Sequence, residues 1–356
     1  MPAFHAVRSF SRPLAAAAVL LSVLPCCRPA QAAAGPTAQA PYRLSVFAQS
    51  ANGYSQPDSI VQWRDSVIVG FQNHAAKDGS DGKSSTIVEF GPQGNVRRMF
   101  SVPGHNDGLR VIGDRSLWSL QNEDANPNLV VIDLITGKKA QYGFPASALG
   151  HGGGFDDIAV LDGKVYFSVS NPAVNGAGHN VFPALVRVTL PRHGGNLQVT
   201  PVVAGNAQAL DIPTGATVTL NLTDPDSLTV DPRGNLVLTS QADSELIFVR
   251  NPASSQPQVG RLPITSGGAA ITVDDTTFVP AVGGIYLLIT DVAGDVIYRL
   301  DSGAFGWEPG TGYSASDTAK IVAALNLDSG VLTPVASGFG SPRGLLFVTP
   351  FDPDGD

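Results

Sequence analysis

Short apolar runs rich in Val, Leu and Ile recur along almost the whole chain, separated by Gly, Asn, Asp and Pro. The stretch from Gly104 is typical: "GLRVI", "SLWSLQ", "NLVVIDL" and "KKAQYGF" follow one another with tight polar turns between them. Runs of this length and composition predict β-strands. Helical spacing is almost absent, apart from a stretch at Ser316–Leu325. The runs also repeat as a set. "PDSIVQW" starts at Pro57, "NDGLRVI" at Asn106, "FDDIAVL" at Phe155, "PDSLTVD" at Pro225, "VDDTTFV" at Val273 and "PRGLLFV" at Pro342. The second position forms a column: Asp58, Asp107, Asp156, Asp226, Asp274 and Arg343. A second column lies fifteen residues on, with Asn73, Asn122, Asn171 and Gln241; in the fifth unit Asp291 stands two residues late.

Four antiparallel strands in about 49 residues make a propeller blade. Six first-strand motifs predict an all-β, six-bladed β-propeller; five blades with extra terminal strands is the alternative. The sixth unit is short, so "YRLSVFAQS" (Tyr42–Ser50) is expected to help close it. Insertions are expected near Ala207–Leu222 and Ser302–Thr318, where the repeat spacing lengthens.

In a blade the first strand lines the axis and the second returns beside it. The start of one and the end of the other therefore share a face, and the two columns should ring one mouth of the tunnel. Loops on that face are long: Asn73–Ser85, Asn122–Asn128 and Asn171–Pro183. The turns on the other face are short. Long loops on a rigid scaffold are where function concentrates. His74, His105, His151 and His179 also fall on this face. An Asp or Asn repeated in every blade is also what a structural staple looks like, bonding loop backbones. Five converging carboxylates would repel, and a bound cation or Arg343 could compensate them.

Ahead of the repeats, Arg8 and Arg12 precede an apolar run (Leu14–Pro25) and an "AQA" cleavage signal (Ala30–Ala32). This reads as a secretory signal peptide over 1–32, too short to span a membrane. A disordered linker over 33–41, one propeller domain over 42–351 and a tail over 352–356 follow. Export places the protein in the periplasm or outside the cell. Both cysteines, Cys26 and Cys27, belong to the leader, so the exported chain makes no disulfide. Losing the leader's three arginines takes the formal net charge from −8 to −11. Such a charge argues against nucleic acid and anionic membranes as partners. No zinc spacing, nucleophile elbow or complete calcium loop is present.

"TDPDSLTVDPRGNLVLTSQADSELIFVR" (Thr223–Arg250) and "HNDGLRVIGDRSLWSLQN" (His105–Asn122) resemble blades of the gluconolactonase/senescence-marker-protein family and its NHL-like relatives. The resemblance implies a six-bladed propeller with one divalent cation, often calcium, in the tunnel mouth. It also implies hydrolysis of lactones or related esters. The family holds its cation with a Glu, an Asn and an Asp that doubles as acid/base. Asp226 matches that Asp and Asn106 that Asn. The Glu has no counterpart in "SQPDSIVQW", which offers Gln56 and Asp58.

Two functions are therefore carried forward. One is a metal-assisted lactone hydrolase. Its cation, Ca2+ on the resemblance, is held by Asp226, Asn106, Asn171 and Asp58, and Asp226 or His105 moves the proton. The other is a non-catalytic binding or scaffold propeller. The remaining ligand-face candidates are Asp107, Asp156, Asp274, Asn73, Asn122 and Arg343. The expected partner is a small oxygenated molecule or a protein on the loop face, taken up by a monomer.

Overall fold

A computed structural model of the chain describes residues 1, 3, 35–192, 194–283 and 285–351. The proposed leader apart from residues 1 and 3, residues 33 and 34 of the expected linker, and the tail 352–356 lie outside the described residues. From Gly35 onward the chain is a six-bladed β-propeller. The innermost strands touch in closed cyclic order: Pro57–Trp63, Asn106–Ile112, Ile158–Leu161, Pro225–Val230, Thr276–Phe278 and Pro342–Val348. These define blades 1 to 6.

Burial follows position within the blade. The second strands are sandwiched between neighbouring blades on both faces and are buried almost throughout, as in Ser66–Phe71 and Leu236–Ser240. This is why they read as continuous apolar runs rather than as alternating ones. Outermost strands such as Val96–Pro103 are mostly exposed. The core is divided into six apolar clusters, one in each gap between adjacent blades. Between blades 2 and 3, for example, Leu120 and Leu129 meet Ile158 and Phe167.

Blades 1 to 3 are built from consecutive strands, as the repeat predicts. Blade 4 gains a hairpin (Gln208–Asp211, Thr217–Thr219) on its outer edge, and this is the expected insertion near Ala207–Leu222. Blades 5 and 6 are interleaved. After its first strand, Thr276–Phe278, the chain crosses to blade 6 to form Tyr286–Asp291 and Val296–Asp301. It then returns to blade 5 for Gly312–Ser316, Ile321–Leu325 and Leu332–Ser337, and ends on the axis of blade 6 at Pro342–Val348.

Four expectations are corrected by this arrangement. The gap at Ser302–Thr318 holds the second strand of blade 5, not an insertion, and the stretch of helical spacing at Ser316–Leu325 holds a turn and a strand. Asp291 belongs to blade 6. Thr37 and Ala38, within the expected linker, pair with Ser337 and Ala336 on the edge of blade 5. Arg43–Gln49 pairs with Val296–Asp301 and supplies the outer strand of blade 6, as expected of "YRLSVFAQS". Both ends of the chain thus meet in one sheet.

Candidate metal and ligand cavity

The axial mouth opens into a cavity of about 250 Å3. Asp58, Asp107, Asp156, Asp226, Asp274 and Arg343 all line it, one from each blade. Ten lining side chains are carboxyls, against three cationic ones, Lys77, Arg110 and Arg343.

Beneath the ring, six hydrogen bonds run between consecutive blades and close a circle. Ser59 Oγ donates to Asp107 O, Gly108 N to Asp156 O at 2.7 Å, and Leu228 N to Asp157 Oδ2 at 2.8 Å. Ser227 Oγ donates to Asp274 O at 2.6 Å, Leu345 N to Asp275 Oδ2 at 2.7 Å, and Thr290 Oγ1 to Asp58 O at 2.7 Å. Each first strand is thereby fixed against its neighbour, and the lining side chains inherit that rigidity. Gly108 is required here: a Cβ would lie 2.5 Å from Asp156 O.

The carboxamide column is largely a set of staples. Asn73 and Asn122 have positive φ (54° and 64°), a conformation Asn tolerates better than other side chains. From there Asn73 Oδ1 accepts from Ser55 N at 2.9 Å, and Asn122 Oδ1 accepts from His105 N at 3.0 Å. Asp243 and Asp291 do the same work in blades 4 and 6, accepting from Thr223 N and from Gly340 N and Ser341 N. Asn171, also at positive φ, reaches the cavity and donates to Asp124 Oδ1 at 3.3 Å. Gln241 donates to Asp274 Oδ1 at 3.1 Å.

The ring is electrostatically divided. On one side Arg343 sits between Asp58 and Asp274, at 3.5 and 3.6 Å, and Gln72 also donates to Asp58. On the other side, Asp107, Asp156 and Asp226 have no hydrogen-bond donor among the described residues other than protons shared between carboxyls. Burial drives all three carboxyls well above their ordinary range, and neighbouring carboxyls add to the shift. Burial also raises Asp274, opposed by Arg343.

At the blade-2 wall three groups converge. One ligand atom from each of His105, Asp107 and Glu123 lies within 4.8 Å of the others, and all three residues are buried. His105 Nδ1 is 2.8 Å from Ala75 O. A carbonyl can only accept, so Nδ1 carries the hydrogen and Nε2 of the neutral ring presents a lone pair. Nε2 has no hydrogen-bond partner and lies 4.0 Å from Glu123 Oε1. Asp107 Oδ2 is likewise buried without a partner. Glu123 Oε1 forms an ion pair with the Lys77 ammonium, which reaches in from the loop of blade 1. Burial would raise Glu123, but protons shared from Asp107 and Asp156 and the charge of Lys77 hold it well below the carboxylate range. Lone pairs from a ring nitrogen and two carboxyls, gathered at one wall, form a donor set that could hold a metal ion.

The ligand set expected from sequence is not the one brought together. Asn106 does not line the cavity. Its Nδ2 donates to Ser119 Oγ at 2.8 Å and Leu120 O at 3.1 Å, and its Oδ1 fills the space left by Gly70, where a Cβ would lie 1.7 Å away. The side chain is thus a packing element between blades 1 and 2. Asp58 is turned toward Arg343, while Asp226 and Asn171 line the cavity, Asn171 bonded to Asp124. His105 itself is buried behind Glu123. The sequence reading missed Glu123, Lys77, Arg110, Asp157 and Asp275. Glu123 had a legible signal, because it follows the second column where the other units carry His74, Pro172 and Ala242. The doubled aspartates of "FDDI" and "VDDT" marked Asp157 and Asp275.

No family model matches the sequence, and no curated protein does. Among solved structures, the chain is similar to a streptogramin B lyase, at 14% identity over 87% of this chain and 95% of that one, TM-score 0.47. It is similar to virginiamycin B lyase from Staphylococcus aureus, at 11% identity over 87% and 97%, TM-score 0.48. It is also similar to a periplasmic gluconolactonase from Pseudomonas aeruginosa, at 13% identity over 86% and 99%, TM-score 0.46. Likeness of this order says nothing about chemistry, which rests on the residues above.

Proposed function

We propose that the central cavity binds one divalent cation on His105, Asp107 and Glu123 and, beside it, a small oxygenated ligand. The observation that carries this reading is the convergence of three buried ligand atoms, of which His105 Nε2 and Asp107 Oδ2 lack any hydrogen-bond partner and Glu123 Oε1 is met by the Lys77 ammonium. Burial of unpaired polar atoms is costly, and a cation relieves His105 Nε2 and Asp107 Oδ2 together while adding a second counter-charge for Glu123. The imidazole favours a transition ion such as Mn2+, Fe2+ or Zn2+ over the calcium implied by the family resemblance, since calcium takes oxygen ligands. Lys77 fills part of the same role by pairing with Glu123. The leader sequence supports action in the periplasm or outside the cell; among the described residues no helix is long and apolar enough to cross a membrane.

A second reading, hydrolysis of a lactone or ester, is favoured by Asp226. Its half-buried carboxyl, raised well above the usual range by desolvation and neighbouring carboxyls, is a proton donor held two blades round the ring from the metal group. A bound ion would polarise a carbonyl and acidify water. His105 is then a ligand rather than the proton shuttle. Elemental analysis of purified protein, before and after chelation, tests the first reading: one ion per chain is expected in wild type and none in Glu123→Gln. A metal-free wild type that takes up no ion on dialysis against Mn2+, Zn2+ or Ca2+ would sink it. The hydrolase reading requires turnover of a lactone panel that collapses in Asp226→Asn.

A further inference from the structure

We propose that the Asp156–Asp226 side of the cavity seats the ammonium group of a small organic amine. The inference rests on the reading that the cavity takes a small ligand beside one ion, and it names that ligand's chemistry. Charge compensation around the ring points there. Arg343 lies between Asp58 and Asp274 and serves those two. His105, Asp107 and Glu123 form the cation group, with Lys77 on Glu123. Asp157 and Asp275, one residue further along their strands, are each bonded by two backbone N–H groups. Asp156 and Asp226 are left. Both line the cavity, and among the described residues neither receives a hydrogen bond from any N–H group or Ser, Thr or Tyr hydroxyl; their polar neighbours are each other and, for Asp156, Glu123. Asp156 is only 5% exposed, so water cannot fully replace the missing donors.

What belongs between two such carboxyls is a compact cation with several N–H donors. A second metal ion fits poorly. The only group of three His, Cys, Asp or Glu side chains close enough to share an ion, among the described residues, is the one at His105. An ammonium needs only acceptors, and its three N–H donors match two carboxylates and one further oxygen. Ser227 and Gln241, which also line this region, offer such an oxygen. An ammonium can take the place of the protons these carboxyls share, whereas a neutral polyol brings no charge to replace them.

Isothermal titration of the metal-loaded full-length exported protein tests this with matched probes: 3-amino-1,2-propanediol, glycerol, and tetramethylammonium. The aminodiol should bind at least tenfold more tightly than glycerol, which differs from it by one hydroxyl in place of the ammonium. Tetramethylammonium, with charge but no N–H, should bind more weakly than the aminodiol. Asp226→Asn and, separately, Asp156→Asn should each cost the aminodiol at least tenfold while metal content stays at one ion per chain. Equal binding of glycerol, no binding of the aminodiol, or no effect of either substitution would overturn the proposal. So would uptake of a second divalent ion that Asp226→Asn removes. Failure of the metal reading would show separately, as absence of the first ion by elemental analysis.

Discussion

At the residue scale, the cavity works through groups whose ordinary partners are missing. Asp107 Oδ2 is an acceptor without a donor, Glu123 is met by the single ammonium of Lys77, and His105 contributes a lone pair fixed by Ala75 O. Removing the charge of Glu123 should therefore matter more to the ion than to the fold. Glu123→Gln is expected to lower affinity for Mn2+ or Zn2+ at least a hundredfold, measured by competition with a chelating dye. An ion at a hundredfold excess over its dissociation constant should stabilise the wild type by about 2.7 kcal/mol, and Glu123→Gln hardly at all. Asp275 gives a pH signature independent of the ion. Burial, with the nearby Asp157 carboxylate, raises its carboxyl to about 7. A carboxyl whose folded value lies above its unfolded one makes the folded state bind more protons. Its contribution to stability is therefore best below the unfolded value, and falls as pH rises toward the folded one. Asp275 alone should cost about 2 kcal/mol between pH 5 and pH 7. Denaturant melts of Asp275→Asn should show a correspondingly smaller loss over that interval; an unchanged slope would show that Asp275 ionises as an ordinary carboxyl.

The loops and strand pairs decide which of these residues meet. Asn122 holds the blade-2 loop by accepting from His105 N while donating to Asn126 O at 3.0 Å, all from a left-handed backbone. Replacing it with Ala loses both bonds and strains the backbone, an expected cost of about 2–4 kcal/mol. Replacing it with Gly loses the bonds but keeps the conformation at ease, so Asn122→Gly should be about 1 kcal/mol less damaging in chemical denaturation. Equal losses would mean that left-handed strain plays no part. Both columns were legible in the sequence because a β-hairpin of fixed length sets their offset. The difference between lining and stapling was not legible, since Asn73, Asn122 and Asn171 look alike until φ and partners are known. Asn106 was misread for the same reason. One step along a strand moves a side chain from the tunnel to the gap between blades, and Gly70 opposite makes that gap fit an amide.

At the scale of the whole molecule, closure depends on the N-terminal segment. Thr37–Ala38 completes blade 5, and Arg43–Gln49 completes blade 6, whose axial strand is the last of the chain. Ala48 is buried in the cluster between blades 6 and 1, and Leu44 and Tyr42 pack on the one between blades 5 and 6. A chain beginning at Ala51 is expected to lose cooperative unfolding, and a synthetic peptide of residues 35–50 to restore it. A truncated chain that melts within a few degrees of the full one would show that the seam is dispensable. The interleaving of blades 5 and 6 belongs to the same seam, because both blades are assembled from segments distant in sequence.

The sequence by itself determined the strand-rich repeat, the six axial motifs, the placing of five aspartates and one arginine at one mouth, and the contribution of Tyr42–Ser50 to closure. All of these follow from local periodicity and fixed hairpin length, which one chain displays. The tertiary structure decided which hairpin joins which blade after Thr276–Phe278, because apolar strands of similar length are interchangeable until the packed faces select their partners. It also decided that the cation group is His105, Asp107 and Glu123. Those three are close in the chain, but their meaning lies in what surrounds them: a carbonyl that fixes the imidazole, a lysine from the blade-1 loop on Glu123, and no donor for His105 Nε2 or Asp107 Oδ2. Burial and partner geometry of that kind arise only when the blades close into a ring.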